Sequence, residues 1–131
     1  MTASDSLRVA TALLALLAAP LAAQDAPEVV DLEFTGNRAF PDRELEAAIV
    51  TTATRCTSIL ALPLCFFGWS REEAFLDADD VQSDALRLRA FYYERGYRAT
   101  QVTSEVVRAE DGVAVVFHVD EGRPVRVSTI G

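Results

Sequence analysis

Residues 79–97 read DDVQSDALRLRAFYYERGY, and the fold class turns on them. Asp79, Asp80 and Asp84 crowd one end, while Arg87, Arg89 and Arg95 lie toward the other. That order complements a helix dipole. Val81, Ala85, Leu88 and Tyr92 recur at helical spacing on one face, and Leu86 and Tyr93 widen it. Gly96 stands where a left-handed residue closes a helix. The pattern predicts a helix from Asp79 to Arg95 that must bury its apolar face against another element.

The sequence on either side supplies a sheet. After the helix, Arg98 to Arg108 is a strand candidate, rich in Thr100, Val102, Thr103, Val106 and Val107. Its alternation is imperfect, so its inward face is not settled by pattern. Ala109-Glu110-Asp111-Gly112 reads as a hairpin turn, with Asp-Gly expected to supply positive φ angles. Val113, Val115, Phe117 and Val119 then alternate with Ala114, Val116, His118 and Asp120, and Glu121-Gly122 ends that strand. Before the helix, Val30, Leu32 and Phe34 alternate with Asp31 and Glu33 between Glu28 and Gly36, a half-buried strand stopped by Gly36-Asn37. Phe40-Pro41-Asp42 opens a first helix, with Leu45, Ala48 and Ile49 as its apolar stripe and Thr51-Thr52 as its end. The order strand, helix, connector, helix, strand, strand predicts an α+β fold. Two helices pack on one face of a three-stranded sheet, and Asp31, Glu33 and His118 lie on the polar face.

The connector, Ala53 to Leu76, is unusual. It holds Leu60, Leu62, Leu64, Phe66, Phe67 and Trp69, interrupted by Pro63 and Gly68. It is too apolar for a plain loop and too broken for one helix. Two readings stay open: a disulfide-tied connector lying over the core, or an exposed apolar patch that meets a partner or the membrane. It also contains both cysteines, Cys56 and Cys65. In an exported chain a disulfide between them is expected, with two free thiols as the alternative. A metal site would need further ligands, and His118, the lone histidine, is far along the chain.

Export is itself an expectation from the N-terminus. Arg8, an apolar run from Val9 to Ala19 broken by Thr11, Pro20, and the small residues of Leu21-Ala22-Ala23 read as a signal peptide over residues 1–23. As a membrane anchor the run falls short of the roughly 20 residues a span requires. Residues 24–27 are a linker, residues 28–122 the domain, and residues 123–131 the opening of a further strand, which reads as a following repeat cut short. The chain's 131 residues leave room for one domain. Its formal net charge of −8 argues against a nucleic-acid partner and offers no basic patch to an anionic membrane.

No catalytic constellation is visible. His118 projects from the polar face of its strand with no expected partner for general-base work. The serines lack a nucleophile-elbow context. Asp77, Asp79, Asp80 and Asp84 lie at a helix start and read as a capping cluster. They lack the central glycine and terminal glutamate of a calcium loop. The sequence reads as a binding module, not an enzyme, with no cofactor and no metal.

Several short runs, in order, resemble the POTRA domain. They are Val30-Asp31-Leu32-Glu33-Phe34-Thr35-Gly36-Asn37, then Phe40 and Leu45, then Asp84 with Leu86 to Leu88, Phe91-Tyr92-Tyr93 and Gly96-Tyr97, and finally Val115 to Glu121-Gly122. Val125 to Gly131 is similar to the opening strand of a further repeat. The resemblance points to the outer-membrane protein insertases of the BamA and TamA type, from whose commonest pattern the cysteine-bearing connector departs. The resemblance implies a periplasmic module of β-α-α-β-β order, attached to the cell outer membrane through a β-barrel downstream in the intact chain. It implies that the second strand is an open edge where unfolded outer-membrane protein clients pair by β-augmentation, through Ala99, Thr100, Gln101, Val102, Thr103, Ser104, Glu105, Val106 and Val107. Contact with the membrane would come only through the barrel. The alternatives are a two-partner secretion or cell-division POTRA that docks a protein partner, and a free periplasmic binding domain.

Overall fold

In the computed structural model, which describes residues 25–56, 67 and 71–126, the long helix runs Ala78–Glu94. It is α2, after the one-turn helix α1 at Asp42–Glu46. Asp77 caps α2, its carboxylate accepting from the backbone N–H groups of Asp79 and Asp80. Two of the donors that every helix start leaves open are thereby satisfied. At the other end Gly96 has φ +91, and Tyr97 N–H donates to Tyr92 O at 3.0 Å. Val81, Leu88 and Tyr92 are buried on the inward face, as their spacing requires.

The strands are β1 (Val29–Thr35), β2 (Arg55–Cys56), β3 (Arg71–Glu72), β4 (Gln101–Ala109) and β5 (Gly112–Asp120). The main sheet has the order β1-β5-β4, with β1 parallel and β4 antiparallel to the central β5. Phe34 pairs with Phe117 and Leu32 with Val115, while Val102 pairs with Val119 and Val106 with Val115. The face they share lies under α2, and Val29, Phe34, Leu45, Leu88, Tyr92, Val115 and Phe117 form the centre of the core. Phe34 and Phe117 stack with ring centroids 5.6 Å apart. An aromatic cluster of Phe40, Phe91, Tyr92 and Tyr97 closes one end through edge contacts of 5.2–5.8 Å.

The opposite face is polar, as the alternation of β1 and β5 predicts. His118 is exposed but bonded there: Nδ1 lies 2.8 Å from Thr35 Oγ1 and Nε2 3.1 Å from Glu105 Oε2. It thereby ties β5 to both neighbours. Val116, on this same face, is nonetheless buried, flanked in register by Glu33 and Glu105.

Four sequence expectations are corrected. First, the first helix stops at Glu46 rather than running on through Ile49. The Val50 and Thr51 N–H groups donate to the Asp84 carboxylate on α2, at 3.0 and 2.7 Å, not back along their own helix. The helical layer is therefore carried by α2, with α1 adding Leu45. Second, Asp84 is not part of the capping cluster but lies fully buried, because its side chain binds that distant backbone. Third, Gly112 does not have positive φ; the turn falls on Glu110 and Asp111, and Gly112 pairs with Ala109 as the first residue of β5. Glycine is needed there for closeness instead, since a Cβ would sit 2.3 Å from Glu28 O. Fourth, the second strand begins at Gln101, so Ala99 and Thr100 precede it. The Thr100 hydroxyl is drawn inward to Tyr97 O and Glu121 O, both at 2.9 Å.

The connector is attached to the start of β1. β2 and β3 pair antiparallel, Val29 N–H donates to Ala74 O, and Thr54 N–H donates to Val29 O. The Glu28 carboxylate joins Arg71 in an ion pair. Hydrogen bonds from Thr54 and Arg71 hold that carboxyl below its ordinary value. Ala74 and Leu76 pack against the core, whereas Phe67 and Phe75 are exposed. The expected signal peptide, the rest of the apolar stretch with Cys65 and Trp69, and most of the expected further strand lie outside the described residues.

Candidate functional site

The strand order leaves β4 at an edge of the sheet. β5 covers one side of it, and among the described residues no strand pairs with the other. β1 is the opposite edge, and the connector covers its beginning through Pro27, Val29, Thr54, Ala74 and Leu76. The longer open edge is therefore β4.

The direction of its free hydrogen-bonding groups follows from the turn. A hairpin closed by a two-residue loop begins with a pair that exchanges both main-chain hydrogen bonds, and pairs alternate from there. Ala109 and Gly112 are that pair, flanking Glu110-Asp111. Thr103, Glu105 and Val107 thus bond inward to β5. Val102, Ser104, Val106 and Arg108 turn their N–H and C=O groups to the open side.

Beside this edge lies a shallow groove between α2 and the start of β4, lined by Leu86, Arg89, Ala90, Tyr93, Arg98 and Thr100. Leu86 and Tyr93 are 59% and 55% exposed, and Val106 on the strand is 44% exposed. Unpaired backbone next to exposed apolar side chains suits an extended polypeptide: the edge supplies hydrogen bonds and the groove takes alternate side chains.

Of the nine edge residues expected from sequence, Gln101 to Val107 lie in β4. Ala99 is exposed before it, and Thr100 is buried and lines the groove instead. The sequence pointed to this strand but did not single out Leu86, Arg89, Ala90 and Arg98 as the lining of a groove beside it. For the helix residues the signal was present as the i, i+3, i+4, i+7 stripe Leu86-Arg89-Ala90-Tyr93, whereas nothing in the sequence marked Arg98. Among the described residues no cluster of His, Cys, Asp and Glu could hold a metal ion. No described helix is long and apolar enough to cross a membrane.

A small α+β domain with an open strand edge beside a partly apolar groove suits a polypeptide-interaction module. Residues 27–122 match the POTRA family, surface antigen variable number repeat, and the chain belongs to that family. Comparison with curated proteins gave no match, and comparison with solved structures gave none. POTRA domains are protein-interaction modules that occur in the periplasmic parts of outer-membrane and secretion proteins.

Proposed function

We propose that this module binds unfolded outer-membrane protein clients by β-augmentation at β4 and passes them to a membrane β-barrel. The barrel would lie downstream in the intact chain, with residues 1–23 removed on export to the periplasm and residues 123–131 leading into a further repeat. The observation that carries the reading is the open side of β4, where Val102, Ser104, Val106 and Arg108 present backbone groups next to exposed Leu86 and Tyr93.

Proline tests it directly. Ser104 is exposed and its N–H points away from β5, so Ser104→Pro removes an edge donor without breaking the ladder. The expected result is a loss of client crosslinking of about fivefold or more, from one lost hydrogen bond plus the clash of the ring with the incoming strand. The domain should keep its folded circular-dichroism spectrum, whereas Thr103→Pro, which breaks the ladder, should not. Full crosslinking by a folded Ser104→Pro protein would rule out pairing at this edge.

The Cys56–Cys65 bridge belongs to the same proposal, since the periplasm is an oxidising compartment. Unreduced protein should take up no thiol-alkylating reagent until reductant is added, and immediate labelling would contradict it.

A further inference from the structure

The groove beside β4 carries a local charge opposite to that of the chain. The protein as a whole has a formal net charge of −8. Yet the groove lining holds Arg89 and Arg98 and no acidic residue. Neither arginine is neutralised: the ion pairs among the described residues are Arg71–Glu28, Arg87–Asp84 and His118–Glu105. Arg98 lies with its guanidinium carbon 5.2 Å from the centre of the Tyr93 ring. That contact seats the cation on the groove wall and leaves its donors available. On the α2 side, Leu86, Ala90 and Tyr93 form an apolar wall along one stripe of the helix, and Thr100 completes the lining.

From this arrangement we infer that the groove selects, within the extended segment paired to β4, an acidic side chain next in line to an apolar one on the same face. The inference rests on the β-augmentation reading above. In an added strand, alternate side chains point the same way, so those turned toward α2 lie over the groove. An apolar residue there covers Leu86 and Tyr93. Because Arg98 and Thr100 lie just before β4, the carboxylate belongs near the Gln101 end of the strand. Two unpaired guanidinium groups offer a carboxylate forked donors, and they disfavour Lys or Arg at the same position by repulsion. Selection is thus local, set against the general repulsion of acidic segments by an acidic protein.

The test uses the full chain and labelled peptides of about ten residues, a strand's length, alternating Thr and Val. One α2-facing position is Glu, Gln or Lys, and each peptide is made with a free and an amidated C-terminus. At low salt the Glu peptide should bind about fivefold more tightly than the Gln peptide, as two exposed ion pairs allow, and the Lys peptide should bind weakest. Arg89→Gln with Arg98→Gln should bring the Glu peptide down to the Gln peptide. Arg89→Glu with Arg98→Glu should reverse the order of Glu and Lys. Equal binding of Glu and Gln peptides would overturn this inference while leaving edge pairing intact. Absence of binding by every peptide would overturn both. A gain that follows the free C-terminus rather than the Glu side chain would overturn the assignment to an acidic side chain.

Discussion

Asp84→Ala is expected to lower the unfolding free energy by about 3 kcal/mol, which is a large share of the stability of a domain this small. The Asp84 carboxylate is fully buried. Its Oδ1 accepts from Val50 N–H at 3.0 Å and from Arg87 Nη1 at 2.5 Å, and its Oδ2 accepts from Thr51 N–H at 2.7 Å. Alanine leaves the Val50 and Thr51 donors without a protein acceptor and frees the segment after α1 from α2. Arg87 is half exposed and regains water, so the two backbone N–H groups account for most of the cost. Urea unfolding at neutral pH checks this, and a drop below about 1 kcal/mol would show that the segment finds other partners.

The same carboxylate gives the fold an acid limit. Burial pushes the Asp84 carboxyl up, but hydrogen bonds from Thr51, Val50 and Arg87 outweigh it and hold the group below its ordinary 3.8. A carboxyl whose value is lowered by folding contributes stability that is complete above the unfolded value. That contribution is lost as pH falls through the folded one. Stability should therefore hold from neutral pH to about 5 and fall below about 4, with Asp84→Asn lacking that part of the fall. If the wild-type and Asp84→Asn stability curves ran parallel below pH 5, Asp84 would not be the group responsible.

Gly36→Ala is expected to cost about 3 kcal/mol or more, because two penalties coincide at one residue. Gly36 has φ +82, and an added Cβ would lie 2.0 Å from Val119 O, a main-chain atom of the central strand. Backbone cannot swing aside as a side chain does, so β5 or the turn after β1 must move. Gly96→Ala separates the two penalties. Its φ of +91 is similarly strained, but its Cβ would meet nothing closer than 4.0 Å. That variant should lose only about 1–2 kcal/mol, and an equal loss in the two variants would mean that the contact with Val119 contributes nothing.

Much of this architecture was legible without coordinates. The helix over residues 78–94, its closure at Gly96, the strands at 29–35 and 112–120, and the polar side of His118 all follow from periods of 3.6 and 2 and from local punctuation. Those signals depend on residues within a few positions of one another, so one sequence determines them by itself. The open edge was expected only through the resemblance to POTRA domains. An alternating pattern tells which face of a strand is apolar but not which strand lies beside it. Tertiary structure alone decided the remaining points. Asp84 reaches backbone 33 and 34 residues away and ends α1 early. Gly112 is needed for its approach to Glu28, not for its φ. Thr100 turns inward to Glu121 instead of joining the edge. The groove joins Arg98 to a stripe of α2 whose Leu86 and Tyr93, in sequence, only widen the apolar face of the helix but are left exposed by the fold. In each case the deciding partner is far away in the chain, and a buried polar group or a close backbone contact must be satisfied wherever the packed core brings it.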